Sequence, residues 1–357
     1  MRKSAAAAAM LVSLLSANVL LSGHALANDG VGGITNTGLV FGSTDAVAME
    51  KENLFLSLDE IRVDYEFRNL TDRDETLLVA FPIPPVSLIL PEYGDFAIAY
   101  DAMKDPNFMG FTVTVDGKPV AFETEVKAWM VPAWESSEGE PPARQFDEPG
   151  EDITAILASY DIPVTYDPVA VMAALNALPK ARRDALAARG IIALADDGSV
   201  QPPSWSIGWR HYWTQVFPAG SVVRISHRYA PVNPASIYVW TDEEETEYDI
   251  SGRMEYCVDD GTGRAIKRLL EYRQEDGTIS HYGTAFYLHY ILRTASTWAG
   301  PIGAFTLTID KGSANRIISL CLNGIRKIGP TTFEWKAEDF TPNQDLKVMF
   351  VQGINYE

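Results

Sequence analysis

The feature that most constrains the fold is a repeated alternation of apolar and polar side chains with a period of two. In the stretch IRVDYEFRN at 61–69, Ile61, Val63, Tyr65 and Phe67 alternate with charged residues. This spacing places the apolar set on one face of a β-strand and the charged set on the other. Similar runs, separated by turn residues, occur at 75–84, 111–126, 205–240 and in short segments after residue 279. We therefore expect a mainly β protein built from one or two antiparallel β-sandwich modules.

Helical spacing interrupts the strands mainly in the middle of the chain. Asp152, the pair Asp167-Pro168 and Pro179 each precede a short run with helical apolar periodicity, and Gly190 follows the last of them. This predicts an inserted unit of three short helices, which makes the fold class α+β with a dominant β part. A further short helix is expected around 263–273. The predicted organisation is a signal peptide at 1–27, an N-terminal β region at 28–131, an acidic proline-rich loop at 132–151, the helical insertion at 152–196 and a C-terminal β region at 203–357 packed with the N-terminal one.

The helical insertion carries a group of basic residues in an otherwise acidic protein. The group comprises Lys180, Arg182, Arg183 and Arg189. It could dock a partner, but a solvated face or internal salt bridges are the favoured interpretation.

The amino-terminal segment has the pattern of a secretory leader. Arg2 and Lys3 precede an apolar stretch that ends at Ala25-Leu26-Ala27, so we expect a mature chain that begins near Asn28. No cysteine follows Ala27, which argues against a lipid anchor. The segment 77–90 is too short and too rich in proline to cross a bilayer, so no transmembrane segment is expected after cleavage. The expected location is the periplasm, with the extracellular space as an alternative.

The charge of the chain restricts its partners. The formal net charge is −19, and loss of Arg2 and Lys3 makes it more negative. A field of this sign repels phosphate backbones and anionic lipids, so nucleic acid and membrane surfaces are not expected partners.

Cys257 and Cys321 are the two cysteines of the chain, and both follow the leader. In an oxidising compartment a single disulfide is favoured over two free thiols. Their spacing is not that of a zinc site.

Residues 205–213, WSIGWRHYW, contain the chain's densest group of aromatic residues. Trp205, Trp209 and Trp213 fit both helical and strand spacing, and Gly208 with the turn at 217–220 favours a strand. We expect a hairpin with 221–231 in which Trp213 pairs with Ile225, His211 with His227 and Trp209 with Tyr229. These tryptophans and histidines are the candidate binding residues: as an exposed platform they would bind a ligand, but burial in a core is favoured.

The two histidines raise a metal-site hypothesis that the sequence does not complete. If His211 and His227 are neighbours, a transition metal needs a third ligand, for which His281 or His289 is available. Buried, hydrogen-bonded histidines are the favoured alternative, so no metal and no cofactor is expected.

The mature chain contains none of the common sequence signatures of hydrolases, metalloproteases or nucleotide-binding proteins. Asp259 and Asp260 beside Gly261 could touch calcium, but a plain turn is favoured. The sequence nominates no catalytic residue.

Five blocks resemble the bacterial exported proteins grouped as the DUF4424 family. They are NDGVGGITNTGLVFGSTDAVAMEKENLFLS at 28–57, IRVDYEFRN at 61–69, LLVAFPIP at 77–84, YWTQVFPAG at 212–220 with SHRYAP at 226–231, and STWAGPIGAFTLTID at 296–310. The resemblance extends over nearly the whole mature chain. The family opening is Asn-Asp-Ser, whereas this chain has Asn28-Asp29-Gly30. The resemblance implies export and homology along the chain and transfers no catalytic residue.

Three functions are compatible with these observations. The first is a non-enzymatic periplasmic β-sandwich protein that binds a ligand or an envelope partner. The second is a hydrolase of envelope polysaccharide that uses two carboxylates in a cleft. The third is a structural or assembly factor that docks through the helical insertion.

Overall fold

The structure is a computed structural model that describes residues 29–35, 38–88, 105–130, 150–240 and 253–354. The predicted leader and nearly all of the predicted acidic loop lie outside these residues. The strands are β1 (Gly30–Thr35), β2 (Gly38–Phe41), β3 (Val47–Leu56), β4 (Ile61–Asn69), β5 (Glu75–Pro82), β6 (Val86–Ser87), β7 (Thr112–Val115), β8 (Lys118–Pro119), β9 (Glu123–Trp129), β10 (Ser206–Phe217), β11 (Val222–Tyr229), β12 (Ala235–Val239), β13 (Glu271–Arg273), β14 (Ile279–Tyr290), β15 (Ile302–Asp310), β16 (Arg316–Ser319), β17 (Arg326–Lys327), β18 (Thr332–Phe340) and β19 (Leu346–Gly353). The helices are α1 (Thr154–Ser159), α2 (Pro168–Ala177), α3 (Lys180–Ala188) and α4 (Asp260–Leu270), and a 3-10 turn spans Arg293–Thr297.

These strands form three sheets, which confirms the mainly β fold with a short helical insertion. The first sheet has the order β2-β1-β5-β10-β6, with β9 on the other edge of β10. The second has the order β17-β18-β15-β3-β4-β11-β7-β8, and the third has the order β12-β14-β19-β16 with β13 beside β14. The strand pairs are antiparallel except β15 with β3, which are parallel. The alternation pattern could not reveal this pair, because the two strands are far apart in the chain.

The principal core lies between the first and second sheets. Period two in β4 buries Ile61, Val63, Tyr65 and Phe67, as the sequence predicts. Ring contacts join the two sheets, for example Phe67 with Phe217 at 6.0 Å between ring centroids. Strands from both sides of the helical insertion contribute to this core. The sandwich is therefore closed by residues that lie far apart in the sequence.

The third sheet contacts two cores. Leu288 and Phe350 face the principal core, whereas Ala285 and Val351 face α4 and form a small second core with Ile266 and Leu270. Asp259 immediately precedes α4, and its side chain accepts a hydrogen bond from the Thr262 amide at 2.7 Å. This acidic turn is thus a helix cap.

The hairpin predicted for 205–231 is wrong. β10 pairs with β5, β6 and β9 in the first sheet, whereas β11 pairs with β4 and β7 in the second. The turn after Phe217 carries the chain from one sheet to the facing one. His211 is opposite Phe81, and His227 is opposite Val63 on one side and Val113 on the other. Alternation shows which side chains of a strand point into the core. It does not show whether two such strands are neighbours in one sheet or lie in two facing sheets.

The strand-like run at 111–126 is divided between two sheets. Asp116 and Gly117 have φ angles of 48° and 76° and form a tight turn between β7 and β8. Beyond β8, however, the chain leaves the second sheet, and Val126 pairs with Trp209 in the first.

Candidate functional site

The five candidate binding residues all lie inside the sandwich. Trp205, Trp209 and Trp213 are buried, and so are His211 and His227. Because the indole and imidazole rings fill the space between the sheets, they do not form an exposed platform.

His211 is held in the interior as a neutral imidazole. Its Nδ1 forms a hydrogen bond with Thr124 Oγ1 at 2.9 Å, and its ring stacks on Phe111 with 4.3 Å between centroids. Burial, and secondarily the nearby His227, lowers the pKa of His211 to about 3. The side chain is therefore uncharged at neutral pH.

His227 forms a buried pair with Asp29. Its Nε2 lies 2.9 Å from Asp29 Oδ1, and both side chains are fully shielded from solvent. Burial raises the pKa of Asp29, and the nearby imidazole partly opposes that shift through its charge and its hydrogen bond. Removing either partner would leave a buried polar group without its hydrogen bond, which is strongly destabilising.

Asp29 is also held by its main chain. Trp298 Nε1 donates a hydrogen bond to its carbonyl oxygen at 2.6 Å, and its amide donates to the Tyr65 hydroxyl at 3.4 Å. The hydroxyl oxygens of Tyr65 and Tyr290 are 3.3 Å apart. These contacts bring the start of the described chain together with β4, β14 and the 3-10 turn.

A second carboxylate, that of Glu52, lies in the same region. Glu52 is buried and is the cross-strand neighbour of Tyr65. Burial is the main cause that raises the pKa of Tyr65 and Tyr290, and the negative charge of Glu52 contributes to both shifts. We refer to Asp29, Glu52, Tyr65, His227 and Tyr290 as the Asp29 cluster.

The Asp29 cluster resembles the orienting half of a nucleophilic catalytic site but lacks the other half. In such sites a carboxylate orients a histidine whose second nitrogen activates a nucleophile. The second nitrogen of His227, Nδ1, has no hydrogen-bond partner among the described residues. The imidazole contacts the rings of Phe81, Phe111 and Trp213, at 4.9, 5.1 and 5.3 Å between centroids. The imidazole is therefore packed among core rings. The buried carboxylates of the cluster are out of reach of a polysaccharide substrate.

The predicted metal alternative is not assembled either. The described part of the chain contains no group of three or more His, Cys, Asp or Glu side chains that could hold a metal ion. His289 Nε2 lies 2.9 Å from the Tyr256 hydroxyl, and His281 pairs with Glu271 across the third sheet. Neither histidine joins His211 and His227.

The sequence missed Asp29 and Glu52. Single carboxylates match no motif, but Glu52 carried one usable signal. It lies two and four residues before Leu54 and Leu56, so strand spacing places its charge on the buried face.

Two of the four basic residues of the insertion, Lys180 and Arg182, form internal contacts. Lys180 Nζ lies 2.8 Å from Asp184 Oδ2, and Arg182 donates to the Ser159 carbonyl at 2.8 Å while its guanidinium lies 4.6 Å from the Tyr160 ring centroid. For these two residues, the contacts support internal pairing over a docking face.

Two exposed apolar side chains lie on the edge strand of the third sheet. Ile237 is 78% exposed and Val239 is 53% exposed, and both belong to β12. β12 pairs with β14 along one edge, where Val239 is opposite Tyr282, and within the described ranges its other edge has no strand partner.

The disulfide between Cys257 and Cys321 is present, as predicted. It joins the segment before α4 to the segment after β16.

Within the described residues, no helix combines the length and the apolar character needed to cross a bilayer.

Comparison with known proteins identifies a family and a distant likeness to solved structures. No curated protein matches the chain. A crystal structure from Legionella pneumophila subsp. pneumophila, described as a "putative nutrient binding protein", aligns with a TM-score of 0.40 and 12% identity over 92% of this chain and 71% of that one. A family model described as "Domain of unknown function (DUF4424)" matches residues 27–349, so the chain belongs to the DUF4424 family.

Proposed function

We propose that this protein is an exported periplasmic protein without enzymatic activity that binds a partner polypeptide through the third sheet. The observation that carries the proposal is the strongly exposed Ile237 and Val239 on the edge strand β12. An open strand edge presents main-chain donors and acceptors that an extended peptide can pair with, and side chains at alternate positions supply specificity.

The contrast between the interior and this edge supports binding over catalysis. The histidine and the carboxylates of the Asp29 cluster are shielded from solvent, whereas Ile237 and Val239 of β12 are exposed to it. Apolar side chains grouped on a surface are a common sign of an interaction site.

Export is supported by the sequence of the leader and by the disulfide. Disulfides are typical of oxidising compartments. Intact mass of the protein recovered from the periplasm should correspond to a chain that begins at Asn28, and recovery of the full-length chain from the cytoplasm would contradict export.

We also propose that 28–131 and 203–357 form one folding unit with 152–196 as an insertion, since both β regions contribute to the principal core.

The binding proposal is tested by photo-crosslinking from the edge strand. A photoreactive residue at position 237 should give an adduct in cells that produce the protein, whereas the same residue at 216 should not. Val216 is a matched control because it is 46% exposed but lies in β10, which is paired with β5.

The crosslinked polypeptide is then purified and its affinity measured directly. The double variant Ile237→Lys/Val239→Lys should weaken binding at least about tenfold, or about 1.4 kcal/mol, because charges on an edge strand oppose strand addition. Val216→Lys should leave the affinity unchanged. Equal affinity of all three proteins, or no adduct at position 237, would refute the proposal.

A further inference from the structure

The disulfide between Cys257 and Cys321 joins two segments of unequal exposure. Cys257 is exposed to solvent, whereas Cys321 is half-buried and its sulfur lies 3.3 Å from the Glu255 carbonyl oxygen. Exposed disulfides are the ones that thiols open most readily, because an attacking thiolate must reach one of the two sulfurs. Cys257 is therefore the accessible end of the bond.

The main chain at Cys257 has a conformation that favours glycine. Its φ angle is 51°, in the left-handed region where a Cβ atom is strained. The Cys257 amide donates to the Met254 carbonyl at 3.1 Å. The Val258 amide donates to the Arg253 carbonyl at 2.9 Å. Glycine is the usual residue at the left-handed position of such a turn. A cysteine makes the turn less stable by itself, so the turn depends more on its covalent link to Cys321.

The segment that this turn fixes is connected to the edge strand β12. Trp240 directly follows β12, and it packs so closely on α4 that a Cβ atom at Gly263 would lie 2.6 Å from its Cη2 atom. The Arg253 guanidinium lies 4.0 Å from the Trp240 ring centroid. Tyr256, next to Cys257, is one of the six buried side chains of the second core. The order of α4 and of β12 is therefore linked to the turn at Cys257.

Two hydrogen bonds join the same segments without involving the sulfurs. Ser319 Oγ donates to the Tyr256 carbonyl at 2.8 Å, and the Tyr256 hydroxyl lies 2.9 Å from His289 Nε2. These bonds can keep the two thiols of a reduced protein within reach of each other. Opening of the disulfide is therefore expected to loosen the unit reversibly.

We propose that Cys257 is a thiol-exchange site and that the disulfide, with the turn at 253–258, is a redox-sensitive latch on the third-sheet unit. A thiolate of a thiol or dithiol reductant bonds to Cys257 Sγ, the bond to Cys321 breaks, and Cys321 leaves as a thiolate that takes a proton from water. A second thiolate of the reductant displaces the Cys257 sulfur, which is protonated in turn. The protein gains two electrons and two protons, and the reductant becomes a disulfide. The turn is then no longer fixed, and α4 and β12 lose protection together.

Reaction of the folded protein with reduced glutathione tests the exchange site. Mixed disulfides formed in mildly alkaline buffer are trapped by acid and located by peptide mass spectrometry. The adduct should form mainly on Cys257, at no less than about one fifth of the rate in urea, because an exposed sulfur reacts without unfolding. A slower reaction of the folded protein, or an adduct mainly on Cys321, would overturn the assignment of Cys257.

Amide hydrogen exchange in dithiothreitol tests the latch. Exchange in β12 and α4 should become at least about tenfold faster than in the oxidised protein, while β11 in the second sheet keeps its protection. The double variant Cys257→Ala/Cys321→Ala is the matched control, since its β12 should already exchange at the faster rate and should not respond to dithiothreitol. Unchanged exchange in β12, equal acceleration in β11, or a response of the variant to dithiothreitol would overturn the latch. If the variant does not fold, the comparison of β12 with β11 in the unmodified protein still decides the question.

The latch and the proposed binding role fail separately. Exchange in β12 is measured without a partner, whereas crosslinking from position 237 reports on binding alone. Control of binding by the latch rests on the proposed function, but the redox dependence of β12 does not.

Discussion

The sandwich formed by the first two sheets and the unit formed by the third sheet with α4 are stabilised in different ways. The principal core contains many large aromatic side chains and also holds the Asp29 cluster. The second core has six buried side chains and is fastened by the disulfide. A large apolar core can compensate for the cost of buried polar groups, whereas a small core gains more from a covalent link.

Truncation of a core tryptophan should show the largest difference between the two regions. Trp205 is fully buried, and its Nε1 has no hydrogen-bond partner in the described part of the chain, so its contribution is mainly apolar. Trp205→Ala should lower the free energy of unfolding by about 4 kcal/mol, through lost burial and the cavity that remains. Urea denaturation followed by circular dichroism measures this loss.

The matched variant is Trp240→Ala in the third-sheet unit. Trp240 packs on Gly263 of α4 and is only half-buried. Its removal should therefore cost less than removal of Trp205. If the two losses are equal, the contrast between a large and a small core does not hold.

Loss of the disulfide should have a smaller effect that is confined to one region. The bond joins positions 64 residues apart, and the double variant Cys257→Ala/Cys321→Ala should lose about 3 kcal/mol. Amide hydrogen exchange should become faster in α4 and β16, while β4 keeps its protection. Equal acceleration in β4 would mean that the two regions unfold together.

The sequence predicted the faces of the strands better than their partners. Period two correctly placed Ile61, Val63, Tyr65 and Phe67 inside, because burial of alternate side chains is a local property. The pairing of β10 with β5, and of β3 with β15, depends on contacts between distant segments. No local pattern specifies such contacts, which is why the hairpin prediction failed.

The candidate site was predicted in the same uneven way. Aromatic and histidine residues at 205–213 stand out in the composition, and the structure places His211 and His227 within one aromatic interior, where Phe111 contacts both. Asp29 does not stand out, because its burial results from β4, β11 and Trp298 meeting around it. A charge that is buried through long-range contacts leaves no periodic signal in its own segment.

Acid sensitivity offers the smallest and most specific test of the comparison, because it should originate in the sandwich. Burial holds the pKa of His211 at about 3 in the folded state, compared with the ordinary value of 6.5. The unfolded chain therefore binds an extra proton between these values. The stability that comes from a neutral His211 is complete above pH 6.5 and is lost as the pH falls toward 3.

Between pH 7 and pH 5 the lowered pKa of His211 should reduce the free energy of unfolding by about 2 kcal/mol. The variant His211→Phe keeps an aromatic ring against Phe111 and removes the proton-binding site, so its stability should fall by about 2 kcal/mol less over the same interval. Asp29 has the opposite sign, since its raised pKa gives stability that is complete below 3.8 and is lost as the pH rises through its folded value. The contribution of Asp29 is the same in the unmodified protein and in His211→Phe. The difference between the two pH profiles therefore isolates the contribution of His211. Parallel profiles from urea denaturation at pH 5, 6 and 7 would show that the imidazole is not kept neutral by the sandwich.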